Sequence, residues 1–327
     1  MILPVGKVNP YELAELIFPQ IKSRDEILVE PGIGQDGSVI ELEKGVLVLS
    51  SDPITGALKN PGWLSVKVNA NDVAAMGASP KWYLINLFLP KGSKRSDLKK
   101  IVEGVQKGCE EMDISLVGGH TEVTPGLERT LVSGAMIGTA PKNRWVSASD
   151  AQAGDKIIIT KTAAIEGTYI LALDREEVLK KELDESLIQK AQNFRQKISI
   201  VTEAITATKS GEVHAMHDVT EGGLLGGLHE LADASGKGFS INSNDIPVAE
   251  ETQEICEYFN IDPFRTISSG TLIICTPLED SSKIIKSLKK EDIKASEIGE
   301  IVDEKEVREM DGEPIEFPEQ DELWKVF

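Results

Sequence analysis

The stretch V-K-V-N-A-N-D-V-A-A-M-G-A, residues 66–78, predicts a helix with one buried face and a small polar cluster beside it. Val66, Ala70 and Val73 recur at the i, i+4, i+7 spacing of a single helical face. Asn69 and Asp72 share a face roughly a quarter turn away. A carboxylate beside a protein core is costly unless a cation, a metal or hydrogen-bond donors satisfy it. Asp72 is therefore either structurally paired or a ligand.

Two further acids occupy similar positions upstream. Asp36 lies in G-I-G-Q-D-G between two strand-like runs, and Asp52 follows the apolar run 46–50 in the turn S-D-P-I-T-G. A single Asp in such a turn is more often an Asx-turn residue. Three acids in similar settings favour a site for a hard cation such as Mg²⁺, which keeps several waters and bridges one or two carboxylates to substrate phosphates.

The composition argues against two broad classes of function. Asp and Glu number 54 against 35 Lys and Arg, for a formal charge of −19. Nucleic acid is an unfavourable main partner, because binding it relies on Lys and Arg neutralising phosphates. No apolar run approaches the roughly 20 residues of a membrane helix, and residues 1–7 are too short for a secretory signal. We expect a cytoplasmic protein that binds neither nucleic acid nor membrane.

The three cysteines, Cys109, Cys256 and Cys275, are far apart in the sequence. Their odd number and wide spacing fit neither a disulfide framework nor a zinc site. They are expected to be reduced thiols in the core.

The chain is long enough for about two domains, with 327 residues. A stretch rich in Pro, Asn, Ser and Asp, residues 141–155, predicts the boundary and gives domains 1–150 and 151–327. Strands and helices alternate, but the adjacent strands 39–41 and 46–50 argue against a purely parallel sheet. The expected fold class is α+β.

Hydrophobic periodicity predicts the main elements of each domain. The first domain has expected helices at 64–76 and 96–112, the second capped by Ser96, and strands at 39–41, 46–50, 83–89, 114–117 and 131–139. The second domain has expected strands at 156–160, 212–216 and 271–275, with helices from 166, at 186–208 and after 220.

Two glycine-rich loops have the composition of anion-binding sites. In V-G-G-H-T-E-V, residues 117–123, the glycines can turn the backbone after an apolar strand, and exposed amides in such a turn bind anions. In H-D-V-T-E-G-G-L, residues 217–224, Asp218 or Thr220 can cap the next helix, whose first amides the glycines would expose. The alternatives are a tight strand connection for the first loop and closely packed backbone for the second.

Six ordered motifs resemble the ATP-binding superfamily of aminoimidazole ribonucleotide synthetase. They are G-Q-D-G-S, S-D-P-I, V-N-A-N-D-V-A-A-M-G-A-S-P, G-G-H-T-E-V-T-P-G, G-D-K-I-I-I-T and H-D-V-T-E-G-G-L. The similarity runs from about Gly34 to Gly270. The segments A-I-E-G-T near Glu166 and S-S-G-T near Gly270 look most similar to the hydrogenase-maturation carbamoyl dehydratase branch.

The resemblance implies an architecture and cofactors. It implies an N-terminal domain that contributes strands to a dimeric β-barrel and a C-terminal α/β sandwich-like domain that completes the cleft. ATP and Mg²⁺ are the implied cofactors, bound by the 1–150 domain near the dimer interface. The apolar strands 46–50 and 131–137 are expected at that interface, because apolar edge strands are normally paired or covered.

The resemblance also implies roles for individual residues. Asp36, Asp52 and Asp72 match positions associated with Mg²⁺ and phosphates. Asp218 or Glu221 is expected to orient or deprotonate the acceptor. The predicted nucleotide-binding residues are Asn69, Gly118, Gly119, His120, Thr121, Glu122, Thr220, Gly222 and Gly223.

The sequence differs from individual members of the superfamily in three features. No Cys follows Cys275, whereas the hydrogenase-maturation enzyme carries its substrate on a C-terminal Cys. No Cys precedes Cys109, whereas selenophosphate synthetase uses an N-terminal Cys or selenocysteine. His120 stands where thiamine monophosphate kinase and the purine enzyme carry an acid, so we expect it to contact phosphate rather than metal.

The sequence therefore predicts a homodimeric, Mg-ATP-dependent enzyme. It would phosphorylate or activate an amide, carbonyl or phosphate oxygen of an unidentified small-molecule acceptor. The alternative is a nucleotide-binding regulatory or scaffold protein that has lost turnover. This alternative is supported by the motifs, which contain fewer acids than those of the related kinases.

Overall fold

The computed structural model describes residues 7–21, 24–55 and 59–327, and its central element is the helix Pro61–Ala75. Pro61 stands at the first helical position, where its missing N–H leaves no intrahelical bond unmade. Gly77, at φ +74°, ends the helix, and its N–H donates to Ala74 O at 2.8 Å. An added Cβ there would lie 2.7 Å from Arg144 O, so this turn requires glycine.

The remaining elements of the N-terminal half surround this helix. The described helices of this half are α1 (Pro10–Leu16), α2 (Pro61–Ala75) and α3 (Arg95–Glu110). The described strands are β1 (Ile27–Val29), β2 (Ser38–Glu41), β3 (Val46–Ser50), β4 (Pro53–Ile54), β5 (Ser79–Pro90), β6 (Ser115–Thr124) and β7 (Leu131–Ala140).

The C-terminal half alternates strands and helices. Its strands are β8 (Lys156–Thr160), β9 (Ala215–Asp218), β10 (Gly238–Ile241), β11 (Leu272–Thr276), β12 (Ala295–Val302), β13 (Arg308–Met310) and β14 (Glu313–Pro314). Its helices are α4 (Ile165–Asp174), α5 (Glu176–Leu179), α6 (Glu185–Gln192), α7 (Val201–Ser210), α8 (Gly223–Ser235), α9 (Glu250–Phe259) and α10 (Leu278–Lys290).

Each half contains one mixed sheet. The first has the order β1-β2-β3-β7-β5-β6, with β4 also paired to β7, and the second has the order β14-β13-β10-β12-β8-β11-β9. Pairing is antiparallel except between β5 and β6 and between β10 and β13. The mixed α and β content is therefore confirmed. Neither sheet closes into a barrel within the described residues, so the dimeric barrel stays a prediction.

Helix α2 lies between the two halves. Every residue from Gly62 to Ala75 is buried, because α2 packs against α3 and the first sheet and also against α7 and β9 of the second half. The prediction of a single buried face was too narrow, since Asn69 and Asp72 are buried together with the apolar stripe. The helix thus delivers polar side chains to the junction of the two halves.

The predicted long helix 186–208 is wrong, because α6 is followed by a 3-10 helix, Asn193–Lys197, and residues 198–200 are not helical. Asn71 of α2 explains the break. Its Nδ2 donates to Ile198 O at 2.8 Å, and its Oδ1 accepts from Ile200 N at 2.9 Å. A side chain of a distant helix thus satisfies two backbone groups that a continuous helix would pair internally.

The predicted cap of α3 is also wrong. Ser96 lies inside the helix, and Lys94 is the N-cap residue. The Asp97 carboxylate accepts from Lys94 N at 2.8 Å, so an acid in the first turn satisfies the backbone there.

The first glycine motif does not form a turn. Strand β6 runs from Ser115 to Thr124 and passes directly through Gly118 and Gly119. The pairing with β5 shifts register beside Gly118, and Gly119 has φ +148°. An added Cβ at Gly119 would lie 1.8 Å from Ile85 O. The glycines therefore permit close strand pairing at an irregularity, so the alternative of a tight strand connection was also wrong.

The strands expected at a dimer interface are not sheet edges. β3 pairs with β2 and β7, and β7 pairs with β3 and β5, so each is hydrogen-bonded on both sides. The outer strands of the order are β1 and β6, and the residues of β6 are almost all exposed. The expectation that 46–50 and 131–137 are edge strands was therefore wrong, and their place at a dimer interface stays a prediction.

All three cysteines are buried and free, which confirms the expectation of reduced core thiols. Burial raises the pKa of Cys109 to about 11 and that of Cys256 to about 12. Across residues 7–21, 24–55 and 59–327, no helix combines the length and the apolarity needed to cross a membrane.

Helix α8 anchors the second half through His229. The imidazole packs edge-on against Phe239, and Arg308 Nη1 lies 2.9 Å from His229 Nδ1. Arg308 can only donate, so Nδ1 accepts and the ring is neutral. Burial, reinforced by the Arg308 charge, lowers the pKa of His229 to about 4.

We expect His229 to make the protein less stable in mild acid. The unfolded imidazole titrates near 6.5, so this contribution is complete above that pH and is lost as the pH falls toward 4. Between pH 7 and 5 the wild type should lose about 1 kcal/mol more free energy of unfolding than His229→Gln. Urea unfolding of both proteins at each pH measures the difference. Equal losses would show that His229 protonation is not linked to folding.

Candidate functional site

A cavity of about 610 Å³ opens between the two halves and gathers acidic residues from both. Its acidic lining consists of Asp36, Asp52, Asp72, Glu166, Asp218, Glu221, Glu230 and Asp321. Within the described part of the chain, its basic lining residues are Lys7 and His217. Such an excess of carboxylates in one cavity favours a cationic ligand or a ligand that arrives with metal ions.

The three acids predicted as metal ligands all reach this cavity. Asp36 comes from the loop before β2, Asp52 from the turn between β3 and β4, and Asp72 from α2. Ser50 Oγ donates to Asp72 Oδ2 at 2.5 Å. Burial, together with the charges of Asp52 and Asp218, raises the pKa of Asp72 well above its usual range. Burial also raises the pKa of Asp52, against the opposing charge of Lys7.

Asn69 supports the site from outside the cavity lining. Its Oδ1 accepts from Asp52 N at 2.9 Å, and its Nδ2 donates to Asp52 O at 3.1 Å and Ser65 O at 2.8 Å. The structure therefore gives Asn69 a contact that fixes the Asp52 backbone, where the sequence predicted contact with the nucleotide.

A chain of ion pairs joins the two halves at the cavity. His217 Nδ1 lies 2.6 Å from Asp36 Oδ1, and its Nε2 lies 3.1 Å from Glu230 Oε2. Lys7 Nζ is 2.8 Å from Glu230 Oε1. Burial opposes the charge on His217, but the paired carboxylates outweigh it and raise the pKa to about 10. His217 is therefore an imidazolium that holds Asp36 in place.

Three carboxylate oxygens of residues that line the cavity are buried without a hydrogen-bond partner, Asp36 Oδ2, Glu166 Oε2 and Asp218 Oδ2. Burial and the Asp36 charge raise the pKa of Asp218 well above its usual range. Unpaired buried carboxylates of this kind fit a cation. No group of three or more His, Cys, Asp or Glu side chains in the described residues forms a ready-made metal site. The fit is therefore to a hydrated ion such as Mg²⁺ that needs few protein ligands and brings phosphate oxygens with it.

The start of α8 offers fewer free amides than the glycine motif suggested. Gly222, at φ +88°, donates its N–H to Asp321 Oδ2 at 2.7 Å, and Gly223 N donates to Thr220 O at 3.1 Å. Thr220 and Glu221 line the cavity, whereas Gly222 and Gly223 do not. An added Cβ at Gly227 would lie 3.3 Å from the His217 ring, so closely packed side chains explain that glycine. The backbone N–H groups of Gly222 and Gly223, which the sequence predicted would bind an anion, are therefore engaged in hydrogen bonds within the protein.

Two family models together match most of the sequence. The N-terminal domain of AIR synthase related proteins matches residues 34–140, and the C-terminal domain of AIR synthase related proteins matches residues 152–312. The chain belongs to the AIR synthase related family.

Several curated relatives are similar over most of their length. The chain is 28% identical over 293 residues to a putative hydrogenase expression/formation protein of Methanocaldococcus jannaschii, covering 87% of this chain and 84% of that protein. It is 26% identical over 278 residues to carbamoyl dehydratase HypE of Bradyrhizobium diazoefficiens, covering 82% of this chain and 78% of that protein. It is 26% identical over 313 residues to selenide, water dikinase of Methanococcus maripaludis, covering 90% and 92%.

Solved structures share this AIR synthase related fold. A HypE–HypF complex matches with a TM-score of 0.75 at 22% identity, covering 94% of this chain and 99% of that one. AaThiL complexed with AMPPCP and TMP matches with a TM-score of 0.76 at 24% identity, covering 94% of each chain. HypE in complex with ATP matches with a TM-score of 0.71 at 21% identity, covering 99% and 98%. At such identities these matches establish the fold alone.

The segment 118–122 lies outside the cavity of a single AIR synthase related chain. Gly118, Gly119, His120, Thr121 and Glu122 are all exposed on β6. The His120 side chain is 65% exposed, and its Nε2 lies 3.3 Å from Glu122 Oε2. These five residues therefore do not meet Asp36, Asp52 and Asp72 within one chain.

Among the charged residues that line the cavity, the sequence missed five as site residues: Lys7, Glu166, His217, Glu230 and Asp321. Lys7 and Asp321 come from segments far from every motif, and no spacing points to them. Glu230 follows Gly223 and Gly227 at i, i+4, i+7 spacing, so it shares their face of α8, which packs on His217. That spacing was a usable signal for Glu230.

Proposed function

We propose that this protein is a Mg-ATP-dependent enzyme that phosphorylates or activates an oxygen of a small-molecule acceptor. The observation that carries the proposal is the convergence of Asp36, Asp52, Asp72 and Asp218 on one cavity, with two of their oxygens buried and unpaired. The names of the relatives support it, since they include a dehydratase and a dikinase, and solved structures of this fold hold ATP or AMPPCP.

The proposed roles follow from the contacts. Asp36, Asp52 and Asp72 would hold Mg²⁺, which offsets the charge that develops on transferred phosphoryl oxygens. Thr220 lines the cavity and would contact phosphate. Asp218 would orient or deprotonate the acceptor. Glu221 is less free for that role, because it accepts from Lys7 N at 2.9 Å and Trp324 Nε1 at 3.4 Å.

The proposed assembly is a homodimer formed through the N-terminal domain, residues 1–150, with residues 151–327 completing the cleft. The exposed strand β6 supports this arrangement, because a long apolar edge strand is normally paired or covered. Residues 118–122 would then reach a nucleotide only across the dimer. His120 keeps its proposed role as a phosphate partner in that assembly alone.

ATP binding should require Mg²⁺. Without a divalent ion, the triphosphate would face the carboxylates of the cavity directly, so we expect at least roughly tenfold weaker binding in chelator. Titration calorimetry with ATP in Mg²⁺ and in EDTA measures this. Equal affinity in both conditions would remove the metal from the proposal. If Mg-ATP binds but no ADP is released with any candidate acceptor, the alternative of a non-catalytic scaffold is favoured.

A further inference from the structure

Among the residues that the structure describes, two basic side chains line the cavity, and they are held differently. The His217 side chain is 4% exposed and lies between two carboxylates, so its charge is fixed in place. The Lys7 side chain is 45% exposed, and its Nζ pairs with Glu230 Oε1 at 2.8 Å. An exposed ammonium on a flexible stem exchanges its partner for water at little cost. Glu230 would keep His217 Nε2, at 3.1 Å, as a partner if Lys7 left.

The segment that carries Lys7 is attached to the rest of the protein by polar contacts at its surface. Lys7 N donates to Glu221 Oε2 at 2.9 Å, and Tyr11 Oη donates to Asp233 Oδ2 at 2.6 Å. Within helix α1, which follows Lys7, Pro10 is the only buried residue. Segments with few buried apolar contacts open at a lower free energy than the core does. Lys7 can therefore leave the cavity without unfolding of either sheet.

The Lys7 charge acts on the acids that are proposed to bind metal. Burial opposes the charge on Lys7, but the carboxylates of Glu230 and Asp52 outweigh it and raise the pKa of Lys7 above its ordinary range. In return, the Lys7 charge opposes the burial that raises the pKa of Asp52 and of Asp218. Two cations that approach the same carboxylates repel each other. A metal ion that enters this cavity therefore meets an ammonium as well as the acids.

The repulsion between Lys7 and a metal ion depends on what accompanies the metal. A divalent ion that enters alone competes with the ammonium for the same carboxylates and adds to the positive charge beside Lys7. A divalent ion that enters on a triphosphate brings phosphate oxygens whose negative charge offsets both cations. Lys7 therefore opposes the first event more strongly than the second.

We propose that Lys7 is a tethered counter-ion that weakens metal binding to the nucleotide-free cavity and so makes metal binding depend on the nucleotide. This inference rests on the proposed function, because it concerns the regulation of the same metal site. In the nucleotide-free protein the ammonium pairs with Glu230 and offsets part of the acidic charge of the cavity. The binding of a metal–nucleotide complex makes that charge compensation unnecessary.

The test compares Mn²⁺ binding to the full chain with and without AMPPCP. Mn²⁺ takes the same oxygen ligands as Mg²⁺, and EPR measures its free concentration. In Lys7→Met without nucleotide, Mn²⁺ should bind roughly tenfold more tightly than in the wild type, because one repelling charge is removed at close range. With AMPPCP present, the Mn²⁺ affinity should change by less than about threefold, because the phosphates already offset the ammonium.

Three further variants separate the charge of Lys7 from its shape. Lys7→Arg keeps the charge and should bind Mn²⁺ as the wild type does. Lys7→Ala removes the charge together with the stem and should behave as Lys7→Met does. Lys44→Met removes one positive charge from an exposed position outside the cavity lining and is the matched control. Its Mn²⁺ affinity should not change, because salt screens distant surface charges.

Two results would overturn the proposal, provided that circular dichroism shows folded variants. The first is an unchanged Mn²⁺ affinity, or no detectable Mn²⁺ binding, in nucleotide-free Lys7→Met and Lys7→Ala. The second is an unchanged Mn²⁺ affinity without nucleotide together with weaker AMPPCP binding, which would make Lys7 a phosphate contact instead of a counter-ion.

The two proposals fail separately. If AMPPCP does not bind the wild type in the presence of Mn²⁺, the proposed function fails, and the nucleotide-free titrations still report on Lys7. If AMPPCP binds and the neutral variants match the wild type without nucleotide, the counter-ion role is wrong and the proposed function stands.

Discussion

Replacing Asp72 with asparagine is expected to weaken Mg-ATP binding roughly 10- to 100-fold, the loss of one charged contact, without destabilising the nucleotide-free protein. Asp72 is buried and receives a hydrogen bond from Ser50. In the absence of a cation it lies near the charges of Asp52 and Asp218, which together with burial raise its pKa. A neutral amide at this position removes that repulsion, yet it cannot neutralise the positive charge of a metal ion that binds with the nucleotide.

The two effects are measured on the same pair of proteins. Calorimetry gives the Mg-ATP affinity, and urea unfolding without nucleotide gives the free energy of unfolding, which should change by no more than about 1 kcal/mol or rise. Asp25→Asn removes the same formal charge from an exposed position outside the cavity and is the matched control. Unchanged Mg-ATP affinity in folded Asp72→Asn would remove Asp72 from the metal site.

Local pattern was enough to predict the element that organises the site. The spacing of Val66, Ala70 and Val73 predicted helix α2, because helical periodicity depends only on residues that are close together in the sequence. The turn chemistry around Asp36 and Asp52 predicted acids at strand ends, and all three acids line one cavity. These predictions needed no knowledge of distant segments.

The failures depend on contacts between distant segments. Asn71 interrupts a predicted helix more than a hundred residues away through two side-chain hydrogen bonds. Gly119 serves strand pairing with Ile85, which the local sequence V-G-G-H cannot distinguish from a turn. The Lys7, His217 and Glu230 ion pairs join three separated segments. Tertiary contacts of this kind leave no periodic signal, so only the folded chain reveals them.

Charged substitutions on β6 are expected to dissociate the proposed homodimer. Strand β6 is an edge of the first sheet, and its exposed apolar side chains include Leu116, Val117 and Val123, at 47%, 52% and 59% exposure. Trp82 and Leu84 extend this apolar surface onto β5. An isologous contact would bury the same residues on both copies, so each substitution acts twice.

In Leu116→Glu/Val123→Glu the dimer dissociation constant should rise roughly 100-fold or more, because each buried apolar side chain contributes about 1.5–3 kcal/mol and each buried carboxylate adds a desolvation cost. Sedimentation velocity across a micromolar concentration series measures the shift. Leu278→Glu, which places the same charge on an exposed apolar position at the start of α10, is the matched control and should remain dimeric. A wild type that is monomeric at micromolar concentration would end the proposal of a dimer. A dimer that survives both β6 substitutions would place its interface on another surface, and residues 118–122 would then have no route to a nucleotide.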